Sequence, residues 1–399
     1  MADPILRRLV LHRFRSLQLE QVEFDNPTFL VGQNGSGKSN FADAFAFLAE
    51  AMAFPLRALI EQRKGFSAVS YQDSEEDCLS NLGLSVMLEN LDGDTPQARY
   101  GFELRARAGY GFEVVREQCI VQRSDGSRDW FDRSTSEWDS SADFPYRMEP
   151  NALAMPLIGG DERFQAVPRF LSEMCVYRID PAALRTMQDL DGGVRLLSDG
   201  SNAASVLREI QRESPDTWKR ILELLESIVP GTIGVQPKKY GNKLTLEFTQ
   251  DWVQTKPIKF EAFNMSDGTL RALGLLAAIF QCPAPSLLVI EEPEATIHPG
   301  ALGSILDVLR HAGRFTQVVV TTHSPDVLDA KWIEDRHLRI VNCDKGATRI
   351  SRVSPATREA LSEHLMGAGE LLRSNALTPA DLFDQNPSQL RLFEDVRRW

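Results

Sequence analysis

The chain has 399 residues, 43% of them hydrophobic and 25% charged, which excludes a fibrous or disordered protein and indicates two or three globular lobes. Its net charge of -12, from 44 basic and 56 acidic side chains, excludes the domain-wide basic excess typical of nucleic-acid-binding domains. The five cysteines are odd in number and far apart, which excludes a disulfide framework and CxxC metal pairs.

No segment contains the roughly 20 apolar residues that a membrane span needs, and the start MADPILRR lacks the apolar core of a signal peptide. We therefore expect a cytoplasmic protein without a membrane partner. Two short basic clusters could still line a groove, although such clusters are usually solvated. They are Arg7, Arg8, Arg13 and Arg15, and Lys238, Lys239 and Lys243.

The segment PTFLVGQNGSGKSNFADAFAFLAEAM predicts a short apolar strand, a glycine-rich turn and a helix. One face of this helix carries Phe41, Phe45, Leu48 and Met52. The turn fits G-x-x-x-x-G-K-[ST], a phosphate-binding loop in which backbone amides converge on phosphate oxygens, the lysine reaches the β and γ phosphates and the hydroxyl meets Mg²⁺. The predicted ligand-binding residues are Gly32, Asn34, Gly35, Ser36, Gly37, Lys38, Ser39 and Asn40.

The next two segments differ in pattern. Residues 61–172 contain short alternating stretches with Gly-Asp and Asp-Gly turns, which predict antiparallel strands. From Pro181 to Pro230 the apolar residues recur at helical spacing. There is no sustained heptad pattern and no long repeat.

The segment FNMSDGTLRALGLLAAIF, Phe263 to Phe280, predicts a well-capped apolar helix. Its polar start contains no nucleophile or base. The hydroxyl of Ser266 and the helix N-terminus behind it form an anion site that carries out no reaction by itself.

Two strands that follow carry chemical groups at their ends. Glu291 and Glu292 come after the apolar strand Leu287 to Ile290, and ligands of parallel α/β sheets lie at such carboxyl ends. One carboxylate can hold Mg²⁺ and the next can orient an attacking water. His323 ends the next strand, Val318 to Thr322, and we expect it at the same edge, within reach of a γ-phosphate. A structural role is expected for the histidines His12, His311, His337 and His364.

Together these motifs resemble the ABC-type ATPase heads of the structural-maintenance-of-chromosomes (SMC), RecF recombination and overcoming-lysogenization-defect families. The strings SDGTLR, EEPE and TTHSP, with the late segment Gly369 to Leu371, are similar to those of short bacterial AAA ATPases of this class. The resemblance implies an α/β fold with a P-loop NTPase core sheet, an antiparallel β subdomain and a helical signature lobe. The expected parts are residues 1–60 (P-loop part of the core), 61–172 (β subdomain), 173–280 (helical lobe), 281–355 (second part of the core) and 356–399 (helical tail).

The same resemblance implies roles for single residues. Lys38 would bind phosphate, Ser39 and Glu291 would hold Mg²⁺, Glu292 would polarise water and His323 would sense the γ-phosphate. Glu291 stands where aspartate is more usual, so direct and water-mediated Mg²⁺ contacts both stay open. The signature residues Met265 to Gly268, through Ser266 and Gly268, would contact ATP bound by a second copy, and Glu294 to His298 would form a cross-dimer loop. Gln62 and Gln72 are both candidates for the Q-loop glutamine.

These roles imply an ATP hydrolase that requires ATP and Mg²⁺ and forms a homodimer around two ATP molecules. The interval between Lys38 and Glu291 is too short for long coiled-coil arms, and the residues after His323 leave no room for a Toprim nuclease. Transporter ATPases carry a Gly-Gly-Gln signature that is not found here. Two uses stay open: a switch that controls a separate effector protein, such as a nuclease or other toxin, in anti-phage defence, or a RecF-like clamp that holds DNA or RNA during repair.

Overall fold

The computed structural model describes residues 4–72, 81–107, 111–141, 148–251, 256–380 and 391–396. The strands in these residues are β1 (Ile5–Phe14), β2 (Leu17–Glu23), β3 (Thr28–Val31), β4 (Asn81–Glu89), β5 (Gln97–Arg107), β6 (Gly111–Gln122), β7 (Arg128–Ser134), β8 (Trp138–Ser140), β9 (Cys175–Tyr177), β10 (Gln188–Asp189), β11 (Thr232–Tyr240), β12 (Lys243–Gln250), β13 (Ile258–Glu261), β14 (Leu287–Glu291), β15 (Gln317–Thr322), β16 (Leu338–Asp344) and β17 (Ala347–Ser351). The helices are α1 (Lys38–Ala53), α2 (Leu56–Gln62), α3 (Met155–Ile158), α4 (Ala166–Ser172), α5 (Pro181–Arg185), α6 (Ala203–Glu213), α7 (Pro215–Ile228), α8 (Asp267–Phe280), α9 (Pro299–Ala312), α10 (Pro325–Leu328), α11 (Pro355–Ser362) and α12 (Ala368–Arg373).

The chain divides into two compact units. The first unit comprises Met1–Met174, Glu334–Glu363 and Leu377–Trp399, and the second comprises Cys175–Ile333 and His364–Ala376. Among the described residues, every helix is too short or too polar to cross a membrane. The five-part division expected from the sequence stays a prediction, and residues 381–390 and 397–399 of its helical tail lie outside the described residues.

The first unit is built on a mixed sheet in the order β8-β7-β6-β5-β4-β1-β2-β17-β16-β3. Neighbours from β8 to β2 are antiparallel, whereas β17 pairs with β2 and β16 pairs with β3 in parallel. Helix α1 buries the apolar face predicted from the sequence. Its Phe41 and Phe45 pack against Phe24, and Phe47 packs between Phe14 and Phe102. This aromatic packing anchors the helix that follows the glycine-rich turn.

The second unit contains two sheets. In the first, β14 lies between β9 and β15 and all three strands are parallel. The second has the order β10-β12-β11, with β13 also paired to β12, and is antiparallel. This second sheet lies within residues 173–280, for which the sequence predicts a helical lobe and no sheet, although α6 and α7 do lie within the predicted helical stretch. The mixed α/β architecture agrees with the predicted fold class.

Candidate nucleotide-binding site

The glycine-rich loop between β3 and α1 requires its glycines. Gly35 and Gly37 have φ of 77° and 101°, in a region that residues with a side chain rarely adopt. A Cβ atom on Gly37 would lie 1.8 Å from Oγ1 of Thr348, and one on Gly32 would lie 2.2 Å from the carbonyl oxygen of Val341. The backbone of the loop is therefore held close to β16 and β17, with no room for side chains at these two positions.

Lys38 lies at the start of α1 and is only 5% exposed. Its Nζ donates hydrogen bonds to the carbonyl oxygens of Gly32 at 2.7 Å and Gln33 at 2.9 Å. The ammonium group is thus held inside the loop by two neutral acceptors. A phosphate oxygen is a stronger acceptor for this charge than a carbonyl oxygen, because it is itself negatively charged.

Three further features of the loop fit a phosphate group. Gly37 is the N-cap of helix α1, which has no side-chain cap and no acidic residue in its first turn, so its N-terminal amides and dipole suit an anion. Oγ of Ser36 is buried and has no hydrogen-bond partner in the part of the chain that the structure describes. Ser39, Asn34 and Gly35 are exposed. The residues present therefore fit a nucleotide phosphate, with the hydroxyl of Ser39 as a hard oxygen donor for Mg²⁺.

A hydrogen-bond network under the loop was missed by the sequence analysis. Oγ1 of Thr348 donates to the carbonyl oxygen of Ser36 at 3.1 Å and lies 2.7 Å from Oγ of Ser16. Nδ2 of Asn40 donates to the same Ser16 oxygen at 2.7 Å. The side chain of Asn40, predicted to bind the ligand, therefore belongs to the hydrogen-bond network that holds the loop through Ser16 and Thr348. Nothing in the local sequence near Ser16 or Thr348 signals this contact.

The acidic motif lies in the second unit, at the carboxyl end of β14. Glu291 pairs in register with Thr321 of β15, so the residues that follow both strands share one sheet edge, as the sequence predicts. Oε1 of Glu292 lies 3.2 Å from Nδ1 of His323, and both side chains are partly exposed. The backbone of Glu292 has φ of 46°, which is uncommon for a residue with a side chain, and its N–H donates to the carbonyl oxygen of Thr321 at 3.0 Å.

Glu294, the third acid of the motif, faces the interior. Its Oε1 accepts a hydrogen bond from Oγ1 of Thr322 at 2.6 Å, and its Oε2 is buried without a partner among the described residues. Burial raises the pKa of Glu294 above its ordinary value. The loop that begins here continues through Thr296, whose φ of 63° is unusual for a β-branched residue. This stretch is the predicted cross-dimer loop, Glu294 to His298.

Arg271 is a further residue whose contacts with the acidic motif were not predicted from the sequence. It lies on α8 and is 8% exposed, among apolar neighbours. Its Nη2 donates to the carbonyl oxygens of Glu291 at 3.2 Å and Glu292 at 2.8 Å, and its Nη1 donates to the carbonyl oxygen of Ile179 at 3.0 Å. A sequence signal does exist, because a charged side chain on the buried face of an apolar helix needs partners.

Ser266 caps α8, as the sequence predicts, and is exposed. Its Oγ accepts a hydrogen bond from the N–H of Thr269 at 3.2 Å. A Cβ atom on Gly268 would lie 2.7 Å from the carbonyl oxygen of Thr296, so the helix start and the predicted cross-dimer loop are in close contact. A cavity of about 750 Å³ opens beside them, lined by the starts of α8 and α9, the loop between β14 and α9, and the end of α7.

The remaining predicted residues are less informative. Gln62 is exposed at the end of α2, and the side chain of Gln72 donates to the carbonyl oxygen of Ser67 at 2.8 Å, so neither is singled out as the Q-loop glutamine. His337 is buried and its Nδ1 accepts from the N–H of Glu334 at 2.9 Å, which fits a structural role. The assignments of the individual site residues stay predictions.

Solved structures identify the fold. The chain is similar to the SmcHead in its crystal structure bound to the C-winged helix domain of ScpA, with a TM-score of 0.55, 14% identity, and coverage of 88% of this chain and 98% of that one. It is also similar to an Smc head domain with an extended coiled coil, bound to the C-terminal domain of ScpA and derived from Pyrococcus furiosus, with a TM-score of 0.54, 13% identity, and coverage of 91% and 99%. The fold is therefore that of an ABC-type ATPase head.

A family model adds to this likeness. The model described as "AAA domain, putative AbiEii toxin, Type IV TA system" matches residues 28–150 and 255–329. These two stretches contain the glycine-rich loop, the start of α8, the acidic motif and His323. None of the curated proteins matches the chain significantly. The chain therefore has the fold of SMC head domains and contains two stretches that are similar to this AAA domain family, in agreement with the resemblance of its motifs.

Proposed function

We propose that the chain binds ATP with Mg²⁺ at the glycine-rich loop and hydrolyses it, and that two copies close around two ATP molecules and separate after hydrolysis. The observation that carries this proposal is the loop itself. Its glycines leave no side chain in the way, the helix behind it has no side-chain cap, and the Lys38 ammonium donates to carbonyl oxygens of the loop. Hydrogen bonds from these donors to a phosphate would therefore stabilise the bound state.

Each side chain then has one task. Lys38 would leave the carbonyl oxygens of the loop and neutralise the β and γ phosphates, and Ser39 and Glu291 would each supply an oxygen ligand to Mg²⁺. The metal ion, when bound, neutralises charge on the phosphate oxygens. Glu292 orients the attacking water. The contact of His323 Nδ1 with Glu292 leaves Nε2 as the ring nitrogen that senses the γ-phosphate.

The exposed start of α8 supports the proposal of a dimer. Ser266 and Gly268 offer a hydroxyl and helix amides to a phosphate that this chain's own loop does not need. We propose that they contact ATP bound by the second copy, with Glu294 to His298 as the cross-dimer loop. Each site is then complete only in the dimer, and ATP stabilises the assembly because it is part of the contact.

The biological use that we favour is a cytoplasmic switch that controls a separate effector, such as a nuclease or other toxin, in anti-phage defence. The charge distribution supports a switch over a nucleic-acid clamp. Lys238 pairs with Glu247 and Lys243 with Asp189, each at 2.7 Å, and Arg15 pairs with Asp43 at 2.6 Å. Because these acids neutralise members of both basic clusters, the clusters offer less charge to a phosphate backbone.

ATP turnover by the purified full-length chain tests the proposal. The wild type should release phosphate from ATP, and Lys38→Ala should abolish both turnover and ATP binding in calorimetry. Lys219→Ala, which removes an exposed lysine of α7, is the control and should behave as wild type. Unchanged ATP affinity of Lys38→Ala would contradict the assignment. A salt-dependent gel shift with DNA or RNA that strengthens with ATP would favour the clamp instead.

A further inference from the structure

The Arg271 guanidinium links α8 to the end of β14. It lies within the second unit, and its three hydrogen bonds all go to backbone carbonyl oxygens: Glu291, Glu292 and Ile179. Burial lowers its pKa, while the acidic side chains of Glu294 and Glu292 oppose that shift. A buried cation is costly unless it is paired and hydrogen-bonded, so these acceptors have to stay in place while the arginine is present.

The backbone that Arg271 holds is an unusual one. Glu292 has a positive φ, and a non-glycine residue keeps such a conformation only when its surroundings impose it. Its N–H donates a hydrogen bond to the carbonyl oxygen of Thr321. Its carbonyl oxygen accepts hydrogen bonds from Nη2 of Arg271 at 2.8 Å and from the N–H of Ala295 at 3.0 Å. The direction of the Glu292 side chain, and its contact with His323, depend on this backbone.

We propose that Arg271 is a positioning residue: it fixes the backbone of Glu291 and Glu292 so that the Glu292 carboxylate meets His323 and the attacking water. This inference rests on the proposed ATPase function. In this proposal Arg271 acts through the backbone of the two acids and not through the nucleotide. Because Ser266 caps α8, the helix that would receive a second copy's phosphate is the helix that holds the backbone of Glu292.

A purely structural role for Arg271 is the competing explanation, and Arg133 provides the matched control. Arg133 is 6% exposed on β7 of the first unit, and its guanidinium donates to the carbonyl oxygens of Ala152 and Glu149, each at 2.7 Å. Nη1 of Arg133 also lies 3.7 Å from Oε2 of the buried Glu117, so removing the arginine leaves this carboxylate without that ion pair. Arg133→Met should therefore lose at least as much stability as Arg271→Met.

The test compares Arg271→Met, Arg271→Lys and Arg133→Met in the full chain, with the melting temperature of each variant measured first. Arg271→Met should keep the ATP dissociation constant and lose about 100-fold in kcat, the size of loss that follows a misplacement of about 1 Å. Arg271→Lys keeps the charge with fewer donors and should lie between wild type and Arg271→Met. Arg133→Met should keep wild-type kcat per folded molecule. Should Arg271→Met not fold, the Lys variant carries the comparison.

A second readout does not need turnover. The imidazole NMR signal of His323, identified by its loss in His323→Gln, should shift in Arg271→Met in the same direction as in Glu292→Gln, and should not shift in Arg133→Met. Wild-type kcat or an unmoved His323 signal in Arg271→Met would overturn the inference. A wild type that does not hydrolyse ATP would overturn the proposed function, while the His323 signal would still decide the role of Arg271.

Discussion

Gly37→Ala should damage the phosphate-binding loop for two separable reasons. The backbone at Gly37 has φ of 101°, and a left-handed conformation costs a residue with a side chain about 1–2 kcal/mol. The new Cβ would also lie 1.8 Å from Oγ1 of Thr348 and 2.8 Å from its Cβ and Cγ2. Overpacking of this kind costs about 1–3 kcal/mol. The expected loss of unfolding free energy is therefore about 2–5 kcal/mol.

Gly35→Ala is the matched control, because its φ of 77° carries the first penalty but its Cβ would meet no atom within 4 Å. Urea denaturation should rank the variants as wild type, Gly35→Ala and Gly37→Ala in decreasing stability. Thr348→Gly removes all three clashing atoms, so the Gly37→Ala, Thr348→Gly pair should show a favourable coupling of about 1–3 kcal/mol. Equal losses for the two alanine variants, or no coupling with Thr348→Gly, would refute the steric account of the loop.

Three further outcomes are expected. Glu292→Gln should keep ATP binding and lower turnover about 10²–10⁴-fold, the contribution typical of general acid–base catalysis, and the same pattern in Glu291→Gln instead would reverse the two roles. Ser266→Arg should bind ATP but gain no ATP-dependent mass in light scattering, because the bulky side chain blocks the second copy's phosphate. Burial raises the pKa of Glu20 from 4.5 to about 7, so the folded state binds its proton more tightly than the unfolded chain and stability should fall as the pH rises through that window. Glu20→Gln should remove this loss of about 3 kcal/mol, and an unchanged pH profile of the unfolding midpoint would contradict it.

The sequence predicted those parts of the site that depend on neighbours along the chain. The spacing of Gly32, Gly37 and Lys38 predicts a glycine-rich turn with a helix behind it, and Ser266 caps its helix through Thr269, three residues away. The sequence also predicted that the ends of β14 and β15 lie at one sheet edge, because neighbouring parallel strands share an edge. The structure places Glu292 and His323 in contact there. Local chemistry was sufficient in each case.

Contacts between distant parts of the chain could not be predicted in this way. Thr348 reaches Ser36 across 312 positions, and it is this threonine that excludes a side chain at Gly37. Arg271 is recognisable as a charge within an apolar helix, but its acceptors are carbonyl oxygens, which every residue has. In the sheet of β10 to β13, α6 and α7 separate β10 from the other three strands, so the pairing of β10 with β12 is not local. The pairs β11 with β12 and β12 with β13 are local, and the helical pattern assigned to this stretch hid them.

The central claim is that each ATP site combines the loop of one copy with the α8 start of the other, and mixing two inactive variants tests it most directly. Lys38→Ala keeps an intact Ser266, and Ser266→Arg keeps an intact loop, so a mixed dimer contains one complete site and one doubly defective site. ATPase activity of the equimolar mixture should rise well above that of either variant alone at the same total protein concentration. An activity that stays at the mean of the two separate variants, or wild-type turnover by Ser266→Arg alone, would contradict the account.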